Sequence, residues 1–182
     1  MQPWKRIEPT IKHKIGYRNL VTKTFVHPDG RTMEYTTINA EHSHCIATIA
    51  LTPDNKVIVA RQFRPGPEKI LDELPGGGVE ESDDDNYEAA ARRELQEETG
   101  YSAGTMEYIG DVYKDSVTNT VWHFYVATGC TLHQDGQNLD DTEYIDVHLL
   151  SITQLLDNAR SARMTDTEAV FLAYDRLIKL QG

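Results

Sequence analysis

The sequence predicts an α+β protein in which a mixed β-sheet lies between helices as an α/β/α sandwich, preceded by an N-terminal antiparallel β-hairpin or small sheet. Two observations support this class. Runs of strand-forming residues, each bounded by turn residues, dominate the first third of the chain. One long segment near the middle lacks Gly and Pro, and two more helix-like segments follow a late strand. At 182 residues the chain fits one main domain, residues 41–182, with a small addition, residues 1–40.

The N-terminal region predicts a hairpin. Arg18 to Val26 and Arg31 to Ile38 have the composition of strands, and the turn sequence HPDG separates them. Because a lone hairpin is only marginally stable in water, we expect it to dock on the main domain or on a second copy of the chain.

A second hairpin is predicted at the start of the main domain. Two apolar runs, Cys45 to Leu51 and Val57 to Arg61, flank the turn sequence TPDNK. The second run leads into RQFRPG, in which Arg61 and Arg64 are three residues apart and would point to opposite faces of an ideal strand. Guanidinium groups suit phosphate oxygens, although pairing with a nearby acid is an equally good interpretation for either arginine alone.

The middle of the chain predicts a glycine loop followed by a helix. Three glycines, Gly76 to Gly78, indicate positive φ or the close approach of a ligand to the backbone. The polar run from Ser82 to Asn86 offers residues that can cap a helix, and Gly100 fits a left-handed C-terminal cap. The segment between them, Tyr87 to Thr99, has the composition of a helix of about three to four turns.

On that helix three glutamates share one face. Glu94, Glu97 and Glu98 stand at positions i, i+3 and i+4, and we expect nothing basic on that face to separate them. Like charges at this spacing repel, so the arrangement calls for a cation. Oxygen ligands suit a hard divalent ion, Mg²⁺ or Mn²⁺, rather than Zn²⁺. On composition alone, a solvated acidic helix is the commoner explanation of such a run.

After this helix, two strands and a long loop are predicted. The strands are Met106 to Tyr113 and Thr120 to Ala127, and the loop is Thr131 to Thr142. Long loops in compact domains often carry function. The second strand carries His123, for which a structural role is the usual interpretation and a catalytic base the rarer one. Its core residues are expected to be Trp122, Phe124 and Val126.

The C-terminal part predicts a strand and two helices. The strand is Tyr144 to Leu149, and Ser151 caps a short helix that ends near Asn158. The final helix begins at Thr165 or Thr167 and continues through Leu180. Its buried stripe is expected to consist of Val170, Tyr174, Leu177 and Ile178.

Composition and charge exclude several classes of protein. The net charge is −11, and nine acids against two arginines fall between Glu80 and Glu98, so we do not expect binding of long nucleic acids. No apolar segment is long enough to cross a bilayer, and no apolar run follows the N-terminal MQPWKR. We therefore expect a cytoplasmic protein with no membrane partner. Cys45 and Cys130 are too few for a disulfide framework and lack metal-pair spacing.

The order of residues around the glutamates resembles a known motif. Residues 93–101, RELQEETGY, match every fixed position in the C-terminal half of the Nudix box, G-x5-E-x7-R-E-U-x-E-E-x-G-U, where U is a bulky apolar residue. Upstream, ELPGGGVE resembles the approach to the box, with Gly77 as the leading glycine. The loop then runs two residues longer than the pattern. Counting back from Arg93 places the isolated acid, which braces the loop in this family, at Asp85.

The resemblance implies a metal site and a general base. It assigns the metal to the carbonyl of Gly76 together with Glu94, Glu97 and Glu98, of which Glu97 is also a catalytic candidate. In the ADP-ribose pyrophosphatases of this family the base is a glutamate of the late loop. That makes Glu143 the first candidate here and Asp141 the second, and a solvated loop acid is the alternative explanation for both.

The resemblance also implies how a substrate is held. An Arg-Gln-aromatic-Arg-Pro run recurs in Nudix ADP-ribose pyrophosphatases, where the arginine helps to hold the diphosphate; this favours Arg64 over Arg61. Candidates for stacking on the base, each explained as readily by hairpin packing, are Trp4, Tyr17, Phe25 and Tyr35. In the sugar-nucleotide branch the N-terminal sheet pairs across a two-fold dimer, so we expect a homodimer with residues 1–40 as the dimerisation element.

The activity implied is Mg²⁺-dependent hydrolysis, with Mn²⁺ as a substitute, of the pyrophosphate bond of nucleoside diphosphate sugars. ADP-ribose is among the expected substrates, and the products are a nucleoside monophosphate and a sugar phosphate. ADP-ribose members usually carry a proline after the box, near Asp115 here, and its absence favours a broader set of substrates. The alternatives are a non-catalytic nucleotide-sensing Nudix domain and a Nudix hydrolase of NADH or dinucleoside polyphosphates.

Overall fold

The computed structural model describes residues 2–16, 18–83 and 86–181, except for the side chains of Pro9 and Ser82. The chain divides into two compact units. The first consists of Met1–His44 and Tyr113–Val121, and the second of Cys45–Val112 and Trp122–Gly182. The predicted metal ligands and both candidate bases belong to the second unit.

The described residues form ten strands, four α-helices and one 3₁₀ helix. The strands are β1 (Lys5–Ile15), β2 (Arg18–Val26), β3 (Thr32–Leu51), β4 (Val57–Arg64), β5 (Lys69–Glu73), β6 (Tyr101–Ser102), β7 (Thr105–Val112), β8 (Thr118–Thr128), β9 (Thr131–Leu132) and β10 (Asp146–Leu150). The helices are α1 (Tyr87–Thr99), α2 (Ile152–Arg160), α3 (Thr167–Leu172) and α4 (Tyr174–Leu180), and the 3₁₀ helix is Glu81–Asp83. Within the described ranges, no helix has the length and apolar character needed to cross a membrane.

In the first unit, β1, β2 and the N-terminal part of β3 form an antiparallel sheet. Strands β2 and β3 pair from Leu20 opposite Ile38 to Val26 opposite Thr32, which confirms the predicted hairpin. Strand β1 was not predicted. Most of its residues are polar and exposed, so it lacks the two-residue alternation of a half-buried strand.

The central strands of the second unit are buried on both faces, because alternate residues of a strand point to opposite sides. One face packs against α2, α3 and α4, through residues that include Ile49, Leu51, Val57, Val59, Phe124 and Val126 of the sheet and Leu155, Val170 and Leu177 of the helices. The other face packs against α1, through Ile46, Ala50, Ile58, Tyr125 and Ala127 of the sheet and Ala90, Ala91 and Leu95 of the helix. A sheet between helices confirms the predicted α+β sandwich.

Two segments differ from the prediction. Strand β3 is a single strand of 20 residues where two separate runs were predicted. Asn39 and His42 have positive φ values, 69° and 60°. They interrupt the regular strand conformation between the two predicted runs, but the strand continues through them. The predicted loop Thr131 to Thr142 begins with β9, which pairs with β6.

The final helix is a third difference. It is interrupted at Ala173, between α3 and α4. The predicted stripe is wrong for Tyr174 and Ile178, each of which is 41% exposed. Val170 and Leu177 are buried as predicted, and Ala173 is buried with them. The packed face therefore follows the spacing i, i+3 and i+7, which leaves Tyr174 and Ile178 at its margin.

Candidate active site

A glycine loop that follows β5 is held between the sheet and α1. Two N–H groups of β3 donate hydrogen bonds to the carbonyls of Pro75 and Gly77, both at 2.9 Å. Between them, the Gly76 N–H donates to Oε2 of Glu98 at 2.8 Å. Backbone contacts on one side and a carboxylate on the other therefore fix the position of Gly76.

Gly76 has no room for a side chain. A Cβ atom there would overlap the carbonyl oxygen of Ile46 and the Cα atom of Ala47, whereas at Gly78 it would meet nothing within 4 Å. We expect Gly76→Ala to lower the free energy of unfolding by about 1–3 kcal/mol, the usual cost of overpacking. Gly78→Ala is the matched control and should unfold like the wild type. Equal urea midpoints for the two variants would contradict the close packing of the loop.

Helix α1 carries the three glutamates predicted to bind metal. It is capped as predicted: the Asn86 side chain accepts a hydrogen bond from an N–H of the first turn at 3.0 Å, and Gly100 is left-handed with a φ of 72°. Glu98 is only 4% exposed, and Glu94 and Glu97 are half-buried. Glu94, like Glu98, lies against the glycine loop, since a Cβ atom on the loop's second glycine would overlap its carboxylate.

Arg93 contacts two of the glutamates, which corrects the expectation that nothing basic separates them. Its Nη1 donates to Oε1 of Glu94 at 3.0 Å and to Oε2 of Glu97 at 2.9 Å. Its Nε and Nη2 donate to Asp83 at 3.2 and 3.0 Å. The contact with Glu97 follows helical spacing, because the two residues are four apart in sequence. The contact with Glu94 does not, because these residues are adjacent and only the long side chain of Arg93 brings its guanidinium to that carboxylate.

Asp83 is a bracing residue that the sequence analysis missed. It is buried, it pairs with Arg93, and its Oδ2 accepts a hydrogen bond from the Glu80 N–H at 2.8 Å. The hydrogen bond from Arg93 holds the pKa of Asp83 below its usual value. The acid predicted for this role, Asp85, lies outside the described residues. The sequence did contain a signal, because counting forward from Gly77 with the spacing of the box reaches Asp83.

The carboxylates of α1 are crowded and shielded from water. The pKa of Glu98 is raised to about 8, chiefly by burial; the Gly76 hydrogen bond opposes this rise, and the charges of Glu94 and Glu143 add to it. Burial likewise raises the pKa of Glu94 to about 7, against the opposing charge of Arg93. A cation placed among these groups would favour their ionised forms.

The available ligands fit a hard divalent cation, although the side chains do not form a ready-made cage. In the part of the chain that the structure describes, no three His, Cys, Asp or Glu side chains converge in a metal-binding arrangement. Arg93 and the Gly76 N–H engage the carboxylate oxygens instead. The groups at hand are nevertheless all oxygens: three carboxylates and the Gly76 carbonyl, which receives no hydrogen bond from the described residues. Such a set suits Mg²⁺ or Mn²⁺.

The loop before β10 is tied to the end of α1 by two glutamine side chains. Nε2 of Gln137 donates to the carbonyl of Glu98 at 2.7 Å, and Nε2 of Gln96 donates to the carbonyl of Gly136 at 2.8 Å. Neither glutamine was singled out from the sequence, because an amide that bonds to a distant carbonyl leaves no periodic signal. These contacts hold the late loop beside the glutamates.

The structure brings Glu143, rather than Asp141, towards the glutamates of α1. Glu143 is half-buried, and its charge raises the pKa of both Glu94 and Glu98. Its Oε2 accepts a hydrogen bond from the Asp140 N–H at 3.0 Å, which orients the side chain. Asp141 is exposed and is not among the main groups that shift these pKa values.

Arg61 and Arg64 both pair with acids, on opposite faces of β4 as their spacing predicts. Nε of Arg64 donates to Oε1 of Glu73 at 2.6 Å, and Nη2 donates to the other oxygen. This pairing raises the pKa of Arg64, and the nearby charge of Glu98 raises it further. Arg61 pairs with Asp72 at 2.7 Å beside a separate cavity of about 460 Å³. Of Arg61 and Arg64, it is thus Arg64 that lies beside Glu98.

The aromatic candidates for base stacking pack within the first unit. The ring of Trp4 lies 5.0 Å from that of His27, and the ring of Phe25 lies 6.2 Å from that of Tyr35. Tyr17 lies outside the described residues. The contacts of Trp4 and Phe25 agree with hairpin packing, the alternative that the sequence left open.

His123 is buried in β8 and stacks on Tyr87, with ring centroids 4.2 Å apart. This contact supports the structural interpretation of His123. Phe124 and Val126 fill the opposite face of the sheet as predicted, and Trp122 is half-buried beside them.

Comparisons with known proteins agree with this geometry. Residues 42–171 match the model of the NUDIX domain. The chain is similar to the methanol dehydrogenase activator of Bacillus methanolicus, at 31% identity over 90% of this chain and 89% of that protein. It is also similar to an ADP-ribose pyrophosphatase of Bacillus subtilis, at 27% identity over 72% and 70%. The solved structure of an ADP compounds hydrolase matches with a TM-score of 0.79 at 18% identity, over 98% of this chain and 96% of that one, which supports the fold.

Proposed function

The chain belongs to the NUDIX domain family, and from this premise we propose that it hydrolyses the pyrophosphate bond of nucleoside diphosphate sugars, including ADP-ribose. The products would be a nucleoside monophosphate and a sugar phosphate. One observation carries the proposal: Glu143 of the late loop lies close enough to Glu94 and Glu98 for its charge to raise the pKa of both, and Arg64 lies beside Glu98. Acids clustered beside Arg64 and Arg93 can supply a base and, with a bound cation, hold an anionic substrate.

An acidic site of this kind would repel a diphosphate unless a cation lay between them. We propose that Glu94, Glu97 and Glu98, with the Gly76 carbonyl, hold Mg²⁺, for which Mn²⁺ can substitute. When bound, the cation would neutralise phosphate oxygens and acidify a water molecule.

The protein's own side chains have separate roles in this proposal. Arg64, oriented by its two hydrogen bonds to Glu73, offers its remaining N–H groups to the diphosphate. Glu143, oriented by the N–H of Asp140, accepts the proton of the attacking water. Arg93 orients two of the metal-binding carboxylates and ties them to the turn before α1.

The choice of substrate is best tested with a panel. ADP-ribose, GDP-mannose, UDP-glucose, NADH and a dinucleoside polyphosphate would each be incubated with Mg²⁺ or with EDTA, and the products separated by chromatography. We expect nucleoside monophosphate to form fastest from the nucleoside diphosphate sugars, and only with the metal. Preference for NADH or the dinucleoside polyphosphate would favour the alternative hydrolases. Tight nucleotide binding without turnover would favour a sensor.

Similarity to the methanol dehydrogenase activator over 90% of the chain favours a second candidate function, the stimulation of a partner dehydrogenase. The test is the rate of methanol oxidation by a methanol dehydrogenase with and without this protein. Stimulation by the wild type but not by Glu98→Gln would indicate that stimulation depends on hydrolysis. Stimulation by both proteins would indicate that it does not.

The homodimer and the cytoplasmic location stay predictions. In support of the dimer, β1 lies at the end of the strand order and pairs with β2. An edge strand of 11 residues presents unpaired backbone groups that favour pairing with a second chain.

A further inference from the structure

Asp166 precedes α3 at the N-cap position but does not cap it. Its side chain makes no hydrogen bond to the first turn of α3. Instead, Oδ2 accepts a hydrogen bond from the N–H of Leu74, 92 residues earlier in the chain, at 3.1 Å. Asp166 is 4% exposed, and Leu74 is buried as well. A carboxylate buried this deeply needs hydrogen-bond partners, and a backbone N–H is a strong one.

The Leu74 N–H extends the outer edge of β5, and the segment before α3 runs along that edge. The Asp72 N–H donates to the carbonyl of Arg163 at 3.0 Å, and Asp72 forms a parallel bridge with Met164. Alternate N–H groups of a strand point to the same side. The N–H of Leu74, two residues after Asp72, therefore points to the same side as the N–H of Asp72. Its acceptor is the carboxylate of Asp166, which takes the place of a backbone carbonyl at this edge.

Leu74 leads directly into the glycine loop, which is held at successive residues. The carbonyl of Pro75 is bonded to β3, the N–H of Gly76 to Glu98, and the carbonyl of Gly77 to β3. Only one residue separates Leu74 from Gly76. A displacement of the Leu74 backbone would therefore be transmitted to the Gly76 N–H and carbonyl.

Asp166 also affects Arg64 through its charge. This charge helps to raise the pKa of the Arg64 guanidinium, although Glu73 and Glu98 raise it more. Asparagine at this position would keep an acceptor oxygen for Leu74 and remove the charge. Glutamate would keep the charge and move the acceptor by one methylene group. The two substitutions separate the hydrogen bond from the charge.

We propose that Asp166 is a positioning residue for hydrolysis: its hydrogen bond to the Leu74 N–H sets the place of Gly76 against Glu98. The kinetic consequence rests on the proposed function, whereas the structural consequence does not. Without an acceptor, the buried Leu74 N–H would have to shift towards another partner, because an unsatisfied buried donor is costly.

The kinetic test compares Asp166→Ala, Asp166→Asn and Asp166→Glu with Asp175→Ala, which removes an exposed acid of α4. Loss of the hydrogen bond should lower kcat roughly 10–100-fold in the alanine and glutamate variants, with a smaller change in KM. The asparagine variant and the control should stay within about threefold of the wild type. If Asp166 acted through its negative charge, asparagine would not restore kcat.

Amide hydrogen exchange gives a readout that does not depend on turnover. We expect faster exchange at Leu74 and Gly76 in Asp166→Ala and Asp166→Glu than in Asp166→Asn, and unchanged exchange in Asp175→Ala. If the wild type hydrolyses no diphosphate, the proposed function fails, but exchange still decides this inference. An alanine variant with wild-type kcat and protection would overturn it. So would an asparagine variant in which kcat and protection fall well below those of the wild type, or rescue by glutamate alone. These two outcomes are measured against the wild type, so they hold even if the alanine variant does not fold.

Discussion

Replacing Glu98 with Gln is expected to lower kcat roughly 10²–10³-fold, the usual cost of removing one group that stabilises charge in a buried site. Glu98 lies against the glycine loop and accepts the Gly76 N–H at 2.8 Å. Glutamine keeps an oxygen for that bond, so the fold should persist, but it lacks the charge that a divalent cation requires. Initial rates with ADP-ribose and Mg²⁺ measure the loss.

The same substitution should stabilise the metal-free protein at high pH. Burial raises the pKa of Glu98 to about 8 in the folded protein, whereas an unfolded glutamate titrates near 4.3. Between these values the unfolded chain has lost a proton that the folded chain retains, so the stability of the wild type falls as pH rises through this window. In EDTA, Glu98→Gln should therefore have the higher Tm at pH 9, and the gap should close near pH 4.

Glu88→Gln is the matched control, because Glu88 is an exposed glutamate of the same helix. It should change neither kcat nor the pH dependence of Tm. Near-wild-type turnover in Glu98→Gln would refute the assignment of Glu98 as a metal ligand. A difference in Tm between Glu98→Gln and the wild type that does not vary with pH would refute the raised pKa of Glu98.

Replacing Glu143 with Gln should lower kcat roughly 10²–10⁴-fold, the range that general base catalysis contributes. KM should change little, because glutamine has nearly the same shape and can still accept the hydrogen bond from the Asp140 N–H. Steady-state kinetics with saturating Mg²⁺ would separate the two constants.

Asp141→Asn is the control for Glu143, because it removes an exposed acid of the same loop. We expect it to retain most of the wild-type kcat. A greater loss in Asp141→Asn than in Glu143→Gln would move the base to Asp141. Unchanged rates in both variants would place it outside this loop.

Features encoded by neighbouring residues could be predicted from the sequence. The C-cap of α1 at Gly100 was predicted, and its N-cap was predicted to lie within the run Ser82 to Asn86, because a cap depends on side chains and φ angles within one turn. The two faces of β8 and the opposite directions of Arg61 and Arg64 follow from the period of a strand. The three glutamates follow from the period of a helix.

Contacts between distant residues could not be predicted in this way. Asp166 reaches Leu74 across 92 residues, and Gln137 reaches the end of α1 across 39. Neither pairing leaves a periodic signal, because only the folded sheet brings the partners together. Arg93 is a different case, because it stands four residues before Glu97 and that pairing does follow from the helical period. Only its contact with the adjacent Glu94 depends on where the long side chain places its guanidinium. The interruption at Ala173 likewise has no Gly or Pro to mark it.

The central claim is that Glu94, Glu97 and Glu98 hold a divalent cation against a diphosphate. Anomalous diffraction from crystals grown with Mn²⁺ and a non-hydrolysable ADP-ribose analogue tests it most directly. We predict manganese peaks that contact the carboxylate oxygens of α1 and the diphosphate of the analogue. An analogue bound elsewhere, or bound with no peak at these carboxylates, would contradict the account.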